Sequence, residues 1–488
     1  MDKTEPTRWY NNQILHIIVL VFISSLILFP KIVNTPLNDW DEARYATSAL
    51  EMVHSGDWVT VTYNHVPDLA NTKFPLGTWL IAIDYKLFGV NEFAVRLWSV
   101  IFTILTTVLV YILGSLIRDR WAGIISALVF ITSIQVVIGH AGTTGDFDAG
   151  ATFFLTLALL LFFLYYKKRK NKDLFYGMMA VAVGTMYKSF VPGFIPLVIF
   201  FLFLLFSKQL NEFINSKTIF RCVLIIIAII TPWLIARSLS DTSFVSELLG
   251  IDYWQRLTAP APGAPYQFWF YLIQIIQSFS PWIYILPFGL FVVFRNYIKD
   301  KNKDYLFLLV WFFTVFLMFS FASTKNFWYI LPLFPVMAIM IGIFWSTIMD
   351  AISKLKERKT LSVLVVIFLI IGTVLAIFNT QYFFNLRKNY NNFSTFINQD
   401  SVQKKLLSSD VLVHEDVATQ SNIFYLDRLI YNRFTVSSII SCNLKPNQIW
   451  LLSADTNFLN LYLKNCPQRQ VFSHYVAGDT DLFYYLIK

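Results

Sequence analysis

The chain has 488 residues, 56% of them hydrophobic and 18% aromatic, with only 14% charged and a net charge of +9. That balance excludes an ordinary water-soluble protein, whose surface needs more charge. It does not read as a nucleic-acid footprint either, because the Lys and Arg residues fall in short connecting segments with no domain to form a groove.

Apolar stretches of the length that crosses a bilayer as a helix, about 20 residues, recur over most of the chain. They are 14–33, 95–117, 121–139, 148–166, 173–190, 191–207, 219–238, 266–294, 305–322, 327–349 and 360–379. The first ends in Phe29-Pro30-Lys31, which is not a small-residue cleavage site, so it is expected to remain as an anchor. The stretch 75–89 is shorter and carries Asp84 and Lys86, which predicts an interfacial or partly inserted helix, or one arm of a hairpin. The expectation is a polytopic α-helical membrane protein of about 11–13 transmembrane helices.

Positive charge predicts the orientation. Arg118 and Arg120, the run Lys167-Lys168-Arg169-Lys170-Asn171-Lys172, Lys208 with Lys217, Arg295 to Lys303, and Lys354 to Lys359 occupy alternate loops, as expected of cytoplasmic ones. With the tail Met1–Tyr10 also inside, the loops 34–94 and 239–265, the 140–147 segment, Lys325 and everything after Asn379 face outward. Residues 1–380 are thus read as a transmembrane domain and 381–488 as a small exported domain. The latter is polar, with β-like runs at 410–414, 448–452 and 482–487 and a helical piece at 457–464, which suggests an α/β layer structure. Cys442 and Cys466 both lie in it, and an oxidising compartment would permit a disulfide between them; Cys222 sits inside an apolar span as packing.

The first outer loop opens on Asn38-Asp39-Trp40-Asp41-Glu42-Ala43-Arg44-Tyr45. Three carboxylates and an arginine at a membrane surface are costly to hold together without a purpose. Other polar residues fall on the same predicted face: Lys73, Asp146, Asp148, Lys188, Asp252, Arg256, Lys325 and Tyr329. A carboxylate among Lys and Arg suits a reaction in which a base takes a proton from an acceptor hydroxyl while cations stabilise a departing phosphate. Arginine forks match phosphate oxygens, and lysine acts as a point charge.

The acidic octapeptide, Gly56-Asp57-Trp58-Val59-Thr60, Lys73-Phe74-Pro75-Leu76-Gly77-Thr78-Trp79, Asp148 with Phe153 to Leu157, Met186-Tyr187-Lys188-Ser189 and Lys325 to Pro332 follow one another in order. Together they resemble the GT-C glycosyltransferases that use polyprenyl-phosphate sugars, of the lipid A aminoarabinose transferase and protein O-mannosyltransferase type. The resemblance implies an inner-membrane enzyme with a periplasmic active face. It implies an undecaprenyl-type phosphate-sugar donor, a lipid A, glycan or protein acceptor, and inversion at the anomeric centre. By analogy Asp41 is the catalytic carboxylate and Asp148 the second acidic residue. Arg44, Lys73, Lys188, Lys325 and Tyr329 hold the donor phosphate, while Glu42, Asp252 and Arg256 support the acceptor or loop. The family's metal-binding glutamate and histidine are replaced by Thr72 and Tyr253, neither a strong zinc ligand. No metal is expected there, and no cofactor beyond the donor lipid.

Plainer readings accompany these. Asp41 could cap a short helix, as could Asp146 and Asp148. Glu42 reads as a structural partner of Arg44 or another cation. Lys188 and Lys325 could snorkel to the interface. His54, His65 and His140 have no ligand spacing around them, so structural roles are expected. Most aromatic residues belong to an interfacial belt. A different function class, a flippase or lipid-linked sugar transporter, would place its charges near the bilayer midplane and show repeated halves. Here the charges lie at span ends and the halves differ. No Gly-rich phosphate loop follows a strand, so no soluble nucleotide-sugar site is expected.

Overall fold

The computed structural model describes residues 12–33, 35–68, 71–213, 216–250, 267–355, 358–388, 392–438, 444–445, 447–476 and 482–487. Along the chain, α1 (Gln13–Ile32) is followed by α2 (Asp41–Ser55), a hairpin of β1 (Thr62–Tyr63) and β2 (Val66–Pro67), and α3 (Leu76–Phe88). Then come α4 (Glu92–Ile117), α5 (Arg120–Ile131), the single turn α6 (Ile134–Val137), α7 (Asp148–Lys168), α8 (Asn171–Tyr187) and α9 (Phe190–Phe206). The series continues with α10 (Leu210–Phe213), α11 (Ser216–Ser240), α12 (Phe244–Glu247), α13 (Phe270–Ser278), α14 (Leu286–Asp300), α15 (Lys303–Phe321), a 3-10 helix at Phe327–Leu333, α16 (Phe334–Ser353) and α17 (Arg358–Lys388).

Seven of the described helices are long and apolar enough to cross a membrane: α1, α4, α7, α11, α15, Phe327–Ser353 and α17. An eighth results if α13 and Trp282–Asp300, which meet at 118°, form one broken span. The remaining apolar stretches are helical but short. α5 stops at Ile131 because the Thr132 and Ser133 hydroxyls turn back to the carbonyls of Leu128 and Val129, competing with continuation of the helix. α8 and α9 have 17 residues each. This is the polytopic helical architecture expected from the sequence, with fewer full-length spans than apolar stretches.

The chain forms two compact units. The first comprises Met1–Ile32, Leu69–Gly77 and Arg96–Tyr382. Its core is aromatic and aliphatic, with Trp282 and Trp311 fully buried. Their indole N–H groups are satisfied, Trp282 donating to Thr132 Oγ1 at 3.0 Å and Trp311 to the Pro332 carbonyl at 3.2 Å. Close helix crossings use glycine: a Cβ at Gly150 of α7 would lie 2.1 Å from the Tyr187 ring of α8. At one end of the bundle, ion pairs tie together loops predicted to be cytoplasmic. Arg118 pairs with Asp350, Lys167 with Asp304 at 2.5 Å, and Arg169 with Glu212 at 2.7 Å.

The second unit comprises Val33–Asp68, Thr78–Val95 and Phe383–Lys488. It therefore joins most of the first outer loop, read from the sequence as part of the transmembrane domain, to the segment that begins at Phe383. After α18 (Asn392–Ile397) and α19 (Asp400–Leu407) come β3 (Asp410–His414), α20 (Gln420–Ile430), β4 (Phe434–Ser437), β5 (Gln448–Asp455), α21 (Thr456–Asn465), β6 (Val471–Val476) and β7 (Leu482–Ile487). The sheet order is β4-β3-β5-β7-β6, with β3 parallel to β4 and β5, and β7 antiparallel to β5 and β6. Trp450, Leu452, Leu459, Tyr462, Cys466, Tyr485 and Ile487 form one apolar core. Cys466 is disulfide-bonded and Cys222 is free; Cys442 lies outside the described residues. α2 packs on α20, and ties from distant segments hold it. Leu37 N–H donates to the Tyr425 hydroxyl at 3.0 Å, Ser421 N–H to Asp39 Oδ1 at 2.8 Å, and Arg428 pairs with Glu92 at 3.2 Å.

Candidate active site

In the first unit several of the motifs read as outward-facing come together. α7 begins at Asp148; its N-cap position is Phe147, which offers no side-chain cap, so the Asp148 carboxylate is not spent on capping. The carboxylate instead takes the Lys188 ammonium at the end of α8, and His140 Nδ1 lies 3.9 Å from its other oxygen. Both members of the Asp148–Lys188 pair are nearly buried, at 9% and 13% side-chain exposure. Lys188 therefore does not snorkel away. Its carbonyl also receives the Phe74 N–H at 3.4 Å, which fixes the segment carrying Lys73. The Lys73 N–H donates to Asn71 Oδ1 at 3.1 Å. Phe74 is fully buried against the Phe190 ring.

His140 joins this cluster to the late motif. Its backbone has φ of 58°, the left-handed region that a non-glycine residue enters only when held there. Its ring stacks on Trp328 with centroids 3.9 Å apart and planes 4° from parallel, and its Nδ1 is 3.4 Å from Asp146 Oδ1. The Asp146 carbonyl accepts from the Ser99 hydroxyl at 3.1 Å. Tyr329, next to Trp328, is half-buried. Lys325 is buried, at 3% exposure, and its ammonium turns back onto the Ala322 carbonyl. One connected group thus runs from Lys73 through Lys188, Asp148 and His140 to Trp328 and Tyr329. α7 has 21 residues, so this group lies about 30 Å from the Lys167–Asp304 pair at its other end. His140 was read from the sequence as structural. Its role was invisible because its partners lie up to 188 positions away, and stacking leaves no motif.

In the second unit the acidic octapeptide forms the start of α2. Trp40 precedes the helix with φ of 73° and is 75% exposed. It occupies the N-cap position without a side-chain cap bond, so Asp41 is the first helical residue and not the cap. An acid there is favoured by the helix dipole. Glu42 is buried and accepts from both the N–H and the side-chain amide of Asn38, each at 2.7 Å. Arg44 forks onto Asp68, with Nε to Oδ2 at 2.8 Å and Nη2 to Oδ1 at 2.5 Å. The guanidinium is 36% exposed and keeps further N–H groups beyond that fork. Asp68 was not singled out by sequence reasoning. Asp252, Tyr253 and Arg256 lie outside the described residues; Thr72 is buried.

Residues 70–235 match the family described as dolichyl-phosphate-mannose-protein mannosyltransferase. A protein of Aeromonas hydrophila named undecaprenyl phosphate-alpha-4-amino-4-deoxy-L-arabinose arabinosyl transferase is 29% identical over 331 residues, covering 66% of this chain and 58% of that protein. One of the same name from Erwinia tasmaniensis is 30% identical over 309 residues, covering 62% and 54%. The chain therefore spans little more than half the length of these two curated relatives. The crystal structure of ArnT from Cupriavidus metallidurans bound to undecaprenyl phosphate aligns over 96% of this chain and 97% of that one, with a TM-score of 0.75 and 16% identity. The chain is a multi-pass membrane protein with the fold of the GT-C glycosyltransferases, and it resembles those that use polyprenyl-phosphate sugars.

Proposed function

We propose that this protein is an integral-membrane glycosyltransferase that moves a sugar from a polyprenyl-phosphate donor to an envelope acceptor. The observation that carries this reading is the buried Lys188–Asp148 pair with His140 stacked on Trp328, at the end of α7 remote from the basic loops. By the positive-inside rule that end faces away from the cytoplasm, which for a bacterial inner membrane is the periplasm. The names of the relatives and the lipid in the Cupriavidus structure support the same donor class.

By the family resemblance, the residues that hold the lipid-linked phosphate are Lys73, Lys188, Lys325, Tyr329 and Arg44. Asp41 is the base. The acceptor oxygen attacks the anomeric carbon, its proton passes to the Asp41 carboxylate, and the anomeric carbon–oxygen bond to phosphate breaks on the opposite face. The lipid phosphate leaves with the electron pair, and the configuration inverts. Cations that bind the phosphate more tightly as its charge grows lower the barrier. Asp148 orients Lys188, while Glu42, Asp252 and Arg256 support the loops around donor and acceptor. No step is assigned to a metal at Thr72, which offers a poor ligand.

Mass spectrometry of envelope lipids and proteins from wild-type, deletion and Asp41→Asn cells tests this. One sugar mass should vanish from a lipid or protein in both defective strains, which also names the acceptor. If polyprenyl-linked sugar accumulates only in the deletion while Asp41→Asn behaves as wild type, the chain moves the lipid without transferring its sugar.

A further inference from the structure

The second unit contains a cluster that the proposed transfer chemistry does not use. Glu51 of α2, His65 at the tip of the β1–β2 hairpin and Asp427 of α20 come together from three separate segments. His65 Nε2 is 2.9 Å from Asp427 Oδ1, and the His65 backbone N–H donates to Glu51 Oε1 at 3.0 Å. One ligand-type atom from each residue lies within 4.8 Å of the other two. Glu51 and Asp427 are each only 1% exposed.

Two features make this more than a group of acids. Among the described residues, Glu51 Oε2 and Asp427 Oδ2 are buried without a hydrogen-bond partner, a costly state for a carboxylate oxygen. The hairpin is also held in a conformation that aims the histidine. Asn64 and His65 have φ of 53° and 62°, the geometry of a tight two-residue turn that favours Asn and Gly at both positions. A histidine at the second place meets Cβ strain, so something at the site repays it.

We propose that Glu51, His65 and Asp427 bind one divalent transition-metal cation of the zinc type, clamping α2 and the hairpin to α20. One imidazole and two carboxylates form a ligand set that zinc accepts, whereas calcium and magnesium prefer oxygen ligands alone. Zinc sits about 2.0–2.2 Å from such donors, so tetrahedral ligand atoms are roughly 3.3 Å apart. The 2.9 Å contact from His65 to Asp427 must open by a few tenths of an ångström, and the Glu51 oxygen, within 4.8 Å of the other two, must close by up to about 1.5 Å, to take the ion. The His65 side chain is 19% exposed, which gives an entry path and leaves the fourth position to water. The proposal does not depend on the glycosyltransferase reading.

The test is metal content and thermal unfolding of the full-length protein in detergent, stripped with chelator and then dialysed against limiting zinc. The wild type should retain about one zinc per chain and melt higher with it than without. Asp427→Asn and Glu51→Gln should each weaken zinc binding at least roughly tenfold, since even outer partners of metal ligands matter that much. His65→Gln, at the partly exposed member, tests the same point if the buried variants fail to fold. In the wild type, cobalt(II) in place of zinc should give visible d–d absorption, absent from His65→Gln. The proposal falls if the wild type holds no zinc, or if wild type and His65→Gln hold equal zinc with equal shifts in melting.

Discussion

The Asp148–Lys188 pair shows how a residue's worth depends on what remains when its partner goes. Both groups are largely withdrawn from water, so removing Lys188 leaves a buried carboxylate beside the His140 ring. Lys188→Met is expected to cost about 3–5 kcal/mol, the range for breaking a buried ion pair by removing one partner. Asp148→Asn should cost a comparable amount by stranding the ammonium. The double variant should be less destabilised than the sum of the two, and all three should lose transfer. Thermal unfolding in detergent measures this, and strict additivity would mean the pair is not coupled. This pairing was partly legible beforehand. Both residues stood out as charges at span ends, but sequence alone left snorkelling and capping open for them. The choice came from α7 lacking a side-chain cap and from Lys188 pointing at Asp148. His65 was illegible for a different reason. Its carboxylate partner is 362 positions away, and metal-ligand spacing is a local signal.

At the level of elements, the strongly patterned segments were the readable ones. The strands expected at 410–414, 448–452 and 482–487 are β3, the first part of β5, and β7, and the helical piece at 457–464 is α21. Alternating or continuous apolar runs determine such elements locally. Full-length spans were harder, because apolar composition does not reveal a break. The polar hydroxyls of Thr132 and Ser133 end α5 inside an otherwise apolar stretch. Helix crossings carry a further prediction. Gly150 lets α7 approach the ring of Tyr187, the residue before Lys188. Gly150→Ala should destabilise the protein by about 1–3 kcal/mol through overpacking. It should also lower donor affinity, because Tyr187 cannot retreat without moving Lys188. A KM for donor unchanged from wild type would separate the crossing from the site. Gly77, whose added Cβ would lie 2.6 Å from the Phe147 ring, should behave similarly from the other side of Asp148.

For the whole molecule, the boundary near 380 was readable as the point where apolar spans give way to polar sequence, yet it is not where folding divides. The second unit draws Val33–Asp68 and Thr78–Val95 together with Phe383–Lys488. A chain ending at Tyr382 should therefore leave the buried face of α2 without α20 and accumulate poorly in membranes. Residues 383–488 alone should lack cooperative unfolding. A sharp thermal transition from that fragment would count against a shared unit. The same composite construction also fixes an order in time. Asp39 is joined to Ser421 across 382 positions of chain, and Glu92 to Arg428 across 336. At translation rates of about 5–20 residues per second, the segment bearing the acidic octapeptide leaves the ribosome roughly half a minute before its partner exists. During that interval α2 has no α20 to pack on. The second unit can therefore close only after residues 383–488 have been made, and a protease or chaperone that binds the uncovered face of α2 would be timing the synthesis of its partner.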